Sequence, residues 1–373
     1  MKFRILLYCL LLHLPSFAQS SIDPLLEKLR EKMHTIYDTI DRAGAIFAVV
    51  LPDGTYGAVP VGYADQEAGI PMTAEHRMLG GSTGKIFVSA VIMQQVEKGV
   101  LDLDRPVREY LGHYDWYARV QNADQLTLRN LLRHSSGISR YVFEEQFQKD
   151  VLLDADRVWK PAELLAYVLD KDPLFAPGTD FAYSDTNYIL AAMVLEEVTG
   201  KNMYKLVRKN VLKPFKLKRV SPQVDRKVKG LAVGYSGPDD PFFPGRTVKN
   251  GVYQYNLQFE WAGGGFVMNP QDLARAGKLI YEGKVFDPAL LEDFFDGVDA
   301  KRLGGQWGLG VHITDTPYGK AYGHSGFFPG YITNMQYFPE KGIAIAYQTN
   351  TSDAANRALF LAMRDLVKLV MEY

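Results

Sequence analysis

Apolar positions along the chain change period several times, and each change predicts a different element. Ile5 to Leu14 is almost wholly apolar, follows Lys2 and Arg4, and breaks at Pro15. Ser16-Phe17-Ala18 then offers small residues where a signal peptidase reads, so residues 1–18 are expected to be an export leader. The run is too short to span a bilayer comfortably. Ser21-Ile22-Asp23-Pro24 reads as a helix start, and Leu25, Leu26, Leu29, Met33, Ile36 and Ile40 continue at helical spacing. Ala45 to Leu51 is a strand-like run, Pro52-Asp53-Gly54 a turn, and Thr55 to Tyr63 a second strand, which together predict a hairpin. From Ser82 the period returns to three and four through Ile86, Phe87, Ala90, Val91, Met93 and Val96, ending near Gly99.

The middle of the chain, from about Leu103 to Leu217, reads as mostly helical. Helices are expected to open at Thr127 and at Pro161, and another to run from Tyr188 to Val198, ended by Gly200. The last third alternates again. Gly308 to Ile313, Ala321 to His324, Tyr331 to Phe338 and Gly342 to Gln348 predict a three-stranded antiparallel meander, followed by an amphipathic helix from Ala354 to Met371. Strands at both ends with helices between them predict an α+β fold. One antiparallel sheet is flanked by helices, and an all-helical domain is inserted within it. The expected division is a discontinuous α/β domain of 19–105 and 225–373 around a helical insert at 106–224. No internal repeat and no low-complexity segment is present.

Composition narrows the function classes. With 373 residues, 47% hydrophobic and 23% charged, the chain is long enough for a sizeable core and excludes a fibrous or disordered protein. Lys and Arg total 42 against 43 Asp and Glu, so no basic excess points to a nucleic-acid partner. After the leader no apolar run is long enough to span a membrane. The single cysteine, Cys9, falls inside the leader, so the mature chain has no thiol for a disulfide, a zinc site or a nucleophile. The remaining histidines show no paired ligand spacing, so no metal and no cofactor is expected. The expected partner is a small-molecule or peptide substrate, and oligomeric state is left open.

Three constellations could carry chemistry. In Ser82-Thr83-Gly84-Lys85 a serine and a lysine stand one helical turn apart and meet on one face. A hydroxyl needs a neighbouring base to become a nucleophile, and a lysine in a dry, positive surrounding can be or assist that base. On its own the pair reads more simply as a capping serine with a surface lysine. The turn-rich stretch Pro177 to Tyr188 contains Tyr183, which can shuttle protons if nearby positive charge lowers its pKa. Its plainer reading is a structural tyrosine beside a helix cap. Gly323-His324-Ser325-Gly326-Phe327 follows a strand-like stretch, where glycine lets a ligand or another backbone approach closely.

In this order the three pieces resemble the penicillin-recognising serine hydrolases: β-lactamases of class C type, D-Ala-D-Ala carboxypeptidases, D-aminopeptidases and related esterases. Further landmarks stand in the matching order at Leu101 to Val107, Leu126 to Gly137 and Ala262 to Phe266, so the resemblance runs from about Ala43 to Asn350. It implies a β-lactamase/transpeptidase-like fold and an acyl-enzyme mechanism. Ser82 would be the nucleophile, Lys85 its partner and Tyr183 the proton shuttle. The backbone N–H groups of Ser82 and Phe327 would form the oxyanion hole. Asp185, His324, Ser325 and Gly326 would contact substrate, while His134 would be structural. Two departures stand out. Asp185 replaces the family's usual Asn, so an acceptor, or a partner for Lys85 or a substrate cation, stands where a donor is normal. His324 stands where lactamases keep Lys, and is cationic only when protonated. Both weigh toward peptidase or esterase action over β-lactam hydrolysis. A sensor that acylates without turnover is the non-enzymatic alternative.

Overall fold

The computed structural model describes residues 22–38, 44–240, 242, 244–300, 302–353 and 357–373, with side chains described from 362 onward in the last stretch. The predicted leader, Cys9 included, lies outside these residues. Helix α1 (Asp23–Tyr37) starts on Pro24 in its first turn, as its sequence demands, and Ile40 of the predicted helix lies outside the described residues. Strands β1 (Gly44–Val50) and β2 (Tyr56–Asp65) form the expected hairpin, with Phe47 opposite Val59. A two-residue strand β3 (Ile70–Pro71) extends the edge beyond β2.

The C-terminal meander differs from expectation. It has four long strands rather than three: β6 (His312–Thr316), β7 (Gly319–Phe328), β8 (Tyr331–Phe338) and β9 (Ile343–Thr349), with short strands β4 (Val298–Asp299) and β5 (Gln306–Trp307) before them. The Gly308 to Ile313 run contributes only its last two residues to a strand. Gly310 takes φ +84°, a turn conformation that breaks the run. The nine strands order β4-β5-β6-β7-β8-β9-β1-β2-β3, all antiparallel, so the two ends of the chain meet where β9 pairs with β1.

That meeting explains why β1 and β9 are apolar throughout: all seven residues of each are buried. Side chains alternate faces along a strand. Ala45, Phe47 and Val49 pack with Leu25, Leu29 and Met33 of α1 and with Leu366 and Val370 of α5 (Arg357–Glu372). Ile46 and Val50 face the main core, which holds Leu273, Ala276 and Ile280 of α4 (Pro270–Tyr281). Burial of each large side chain contributes roughly 1.5–3 kcal/mol.

Between Arg108 and Leu212 the described elements are helices and helical turns. The longest, α3 (Asp185–Thr199), starts three residues before the predicted Tyr188 and ends at Gly200, whose φ of +61° suits a glycine C-cap. The stretch 106–224 is not purely helical. Ser221–Pro222 forms a small sheet with Phe266–Met268 and Met78–Leu79. That sheet anchors the strand that leads into the Ser82 turn beside the strand that follows Gly265. After Leu79, residues Gly81–Gly84 make a tight 3-10 turn that runs into α2 (Lys85–Glu97), whose residues Lys85 to Gln95 are all buried.

Asn350 ties the sheet to the loops above it. Fully buried, it accepts from the Gly44 N–H at 2.6 Å and donates to the carbonyls of Tyr63 at 3.1 Å and Val233 at 2.7 Å. Replacement by alanine leaves three backbone groups without partners, each costing about 1–3 kcal/mol. Asn350→Ala is expected to lower the urea midpoint by an equivalent of at least ~2 kcal/mol at unchanged slope. An unaltered midpoint would show that these contacts carry no stability.

Candidate active site

The site begins with two backbones pressed together. Gly81 takes φ +51°, and a Cβ there would lie 2.5 Å from the Phe327 carbonyl oxygen and 2.8 Å from its nitrogen. A Cβ on Gly326 would lie 2.0 Å from the Gly80 oxygen and 3.3 Å from the Ser82 nitrogen. Only glycines allow β7 to lie this close to the Ser82 turn. The backbone N–H groups of Ser82 and Phe327 are thereby brought side by side. Gly264 does the same on the other flank, at φ +145° with its would-be Cβ 2.3 Å from the Gly81 oxygen.

That second approach delivers an acceptor to Lys85. Its ammonium is completely buried and donates to Ser82 Oγ at 3.1 Å, to Asp185 Oδ1 at 2.7 Å and to the Gly263 carbonyl. All three protons are used. Burial alone would push its pKa down, but Asp185, Tyr183 and Glu260 outweigh it, and the net shift is upward. Lys85 is therefore a held cation at rest. The second Asp185 oxygen accepts from Arg140 Nε at 3.0 Å and Nη2 at 2.6 Å. Burial would raise the Asp185 carboxyl, yet Arg140 and Lys85 hold it well below the usual carboxylate range. Of the two partners the sequence offered for Asp185, the structure supplies Lys85, and Arg140 occupies its other oxygen.

Tyr183 precedes α3, with its ring 4.1 Å from the His134 ring and 5.0 Å from Lys85 Nζ. Its buried hydroxyl has no hydrogen bond of good geometry. Lys85 and Ser82 do pull the phenol down, as expected, but burial is the larger effect and the net shift is upward. A resting phenolate is thus disfavoured. His134, held at φ +57°, accepts the Ser184 N–H at Nδ1 at 3.2 Å and fixes the segment that carries Tyr183 and Asp185.

His324 is buried on β7. Its Nδ1–H donates to the Ser325 carbonyl at 2.6 Å, which leaves Nε2 bare and without a partner. Burial, aided by Lys85, pushes its pKa down to about 3. The ring is neutral at working pH and offers no cation to a substrate carboxylate. Ser325 is exposed, Gly326 is buried, and Phe327 is 58% exposed at the rim.

A cavity of about 370 Å³ opens beside Ser82, lined by Arg140, Asp185, Glu260 and Phe327 among others. Sequence reasoning missed Arg140 and Glu260. Both sit just outside landmarks it did use: Arg140 follows Leu126 to Gly137, and Glu260 precedes Ala262 to Phe266. Among the described residues no group of His, Cys, Asp and Glu could hold a metal ion, and no helix is long and apolar enough to cross a membrane.

The sheet, its flanking helices and the Ser82 turn define the β-lactamase/transpeptidase class of folds. The D-amino acid amidase from Ochrobactrum anthropi SV3 has this fold, with a TM-score of 0.79 and 21% identity over 94% of this chain and 99% of that one. The beta-lactamase family model matches residues 26–368, and the chain belongs to that family of serine hydrolases. It is 25% identical to Esterase EstB from Burkholderia gladioli, over 91% of this chain and 95% of the esterase. It is 24% identical to the putative penicillin-binding protein PbpX from Bacillus subtilis (strain 168), over 72% of this chain but only 61% of that relative's length.

Asp185→Asn removes the charge facing the buried Lys85 and the half-buried Arg140. An unpaired buried charge costs about 3–5 kcal/mol, so a loss of that order is expected near neutral pH. Because the folded-state pKa is depressed, the contribution of Asp185 is present above its unfolded value and is lost as pH falls below about 4. The gap between the two proteins should therefore narrow on acidification. Urea midpoints near pH 7 and near pH 3 measure it, and a gap that widens in acid would contradict the assignment.

Proposed function

We propose that the protein is an exported serine hydrolase that cleaves small amides or esters, D-amino-acid derivatives foremost, through an acyl-enzyme on Ser82. The observation that carries this is the Lys85 ammonium donating to Ser82 Oγ at the edge of an apolar-lined cavity, with two backbone N–H groups alongside. The basic and apolar start of the chain supports export. The division into a discontinuous domain around the insert at 106–224 is part of the same proposal. The first part brings Ser82, Lys85, Glu260 and His324, and the insert brings Arg140, Tyr183 and Asp185.

In this reading Ser82 Oγ attacks the substrate carbonyl, and the Ser82 and Phe327 N–H groups receive the developing oxyanion. The minor form of the Tyr183–Lys85 pair that has lost one proton to solvent accepts the Ser82 proton and passes it to the leaving amine or alcohol. Water then adds to the acyl carbon, the acid departs and Ser82 regains its proton. Asp185 and Arg140 position the lysine rather than touch substrate. A neutral His324 gives a β-lactam carboxylate no cation, which supports amidase or esterase action over antibiotic hydrolysis. The near-complete alignment with an esterase keeps ester substrates in first consideration.

Ser82→Ala is expected to abolish turnover of p-nitrophenyl esters and D-amino-acid anilides with an unchanged circular dichroism spectrum, while the unaltered protein gains the acyl mass transiently. Retained turnover in the variant would sink the mechanism, and a permanent adduct without turnover would favour a sensor. Lys85 and Tyr183 both titrate high, so their deprotonated forms grow as pH rises. Acylation measured by burst kinetics should accelerate from near pH 7 to near pH 9, and a rate that falls over that range would exclude this pair as the base.

A further inference from the structure

Glu260 lines the Ser82 cavity and has no part in the mechanism above. It forms no hydrogen bond and no ion pair among the described residues, although two cations are near. Both are taken: Lys85 and Arg140 are engaged by Asp185. The Glu260 Oε2 lies 3.4 Å from the place a Cβ on Gly263 would occupy, and the carbonyl of that same Gly263 accepts from Lys85. The carboxyl is thus one peptide unit from the lysine that touches Ser82. The next residue, Trp261, sits at φ +37° and ψ −117°, a conformation L-residues rarely adopt. The Trp261 carbonyl accepts the Gly265 N–H at 2.8 Å, which keeps the bend in place. Strain of this kind persists where the surroundings over-determine it, often at ligand sites.

Phe143, Phe242, Tyr255, Phe259, Phe327 and Phe328 make the rest of the lining mostly aromatic, with one further acid, Asp240, and Gln148 among them. Ring faces accept both an apolar side chain and a cation. Arg140 already lies 4.2 Å from the Phe143 ring centroid. A half-buried carboxylate with no hydrogen bond or ion pair among the described residues, set among such rings beside Ser82, is complementary to an organic ammonium.

We propose that Glu260 receives the ammonium group of the substrate, making it the residue that selects amino-acid derivatives with a free amine and a large apolar side chain. The proposal deepens the acyl-enzyme reading and rests on it for which bond is cut, but not for what binds. The groups that face Glu260 are Asp185 on α3, Lys85 on α2 and Arg140, with the phenols of Tyr141, Tyr204 and Tyr255 around it. Burial, reinforced by Asp185, pushes the carboxyl up to about 7, against the pull of Lys85 and Arg140. His324 titrates near 3 and His134 is lowered well below its ordinary value, so neither changes charge around neutrality.

Binding separates this proposal from the chemistry. In the full-length Ser82→Ala protein, NMR titration compares 2-phenylethylamine, a cation throughout the range, with the neutral 2-phenylethanol. The amine should bind about tenfold more tightly near pH 8, the scale of one charge-assisted contact. As pH falls toward 6 Glu260 takes up a proton and the preference should shrink. This arm alters no residue at Glu260 and so cannot fail through misfolding. Adding Glu260→Gln should abolish the preference and its pH dependence, while Glu260→Asp should retain part of both. Equal affinity for the two probes, or a preference that survives Glu260→Gln, overturns the proposal. It is overturned equally if Glu260→Gln alone makes acyl-enzyme accumulate on neutral esters and amine-bearing esters alike, since Glu260 would then serve the hydrolytic water. A missing Ser82 adduct in the unaltered protein would overturn the acyl-enzyme reading and leave the binding result standing.

Discussion

The buried ion network of Lys85, Asp185 and Arg140 is the interaction on which the site depends. Taking a lysine fully out of water is expensive, and it is tolerated only where every proton has an acceptor and the charge has a partner. Here the partner comes from the start of α3, the second acceptor from the Gly263 carbonyl and the third from Ser82 itself. Each acceptor belongs to a different part of the chain. The network therefore locks α2, α3 and the glycine-rich turn into one arrangement. Arg140 doubles the restraint on Asp185 while leaving a stacked, half-buried guanidinium at the cavity wall.

The same network sets the electrostatics of its neighbours. Because Lys85 keeps its proton, His324 and His134 are both driven further toward the neutral form. Burial, reinforced by the charge that Asp185 keeps, pushes the Glu260 carboxyl up instead. Asp185 and Glu260, two of the carboxyls that line the cavity, are thus separated into a permanent anion and a group that titrates near neutrality. Environment, not residue type, makes the difference. Replacing the family's usual Asn by Asp185 changes more than one hydrogen bond. It puts an anion between Lys85 and Arg140 beside Ser82, in an ion cluster that includes an arginine.

Much of this was legible along the chain. The strand-like runs at Ala45 to Leu51 and Thr55 to Tyr63, joined by Pro52-Asp53-Gly54, had one hairpin as their simplest reading. Gly200 announced the end of α3. The Ser82–Lys85 spacing placed both side chains on one face whether the turn was 3-10 or α. The errors were local. Gly308 to Ile313 looked continuous because its residues are apolar, and a turn at Gly310 overrode the pattern. The helix at α3 started early because Asp185 is held from outside the helix, by Lys85 and Arg140. Arg140 and Glu260 escaped notice because a lone Arg or Glu in a charged, soluble chain carries no periodic signature.

What the sequence by itself determined is the class of fold, the order of its parts and the spacing that brings Ser82 and Lys85, the proposed nucleophile and its partner, together. These follow from local spacing and from an ordered set of short motifs. What only the tertiary structure decided is charge. Lys85 is a held cation, Tyr183 a neutral phenol and His324 a neutral ring because of burial and of groups far away along the chain. Desolvation and Coulomb interaction depend on distance in space and on the exclusion of water, and neither is written in the neighbours along the chain.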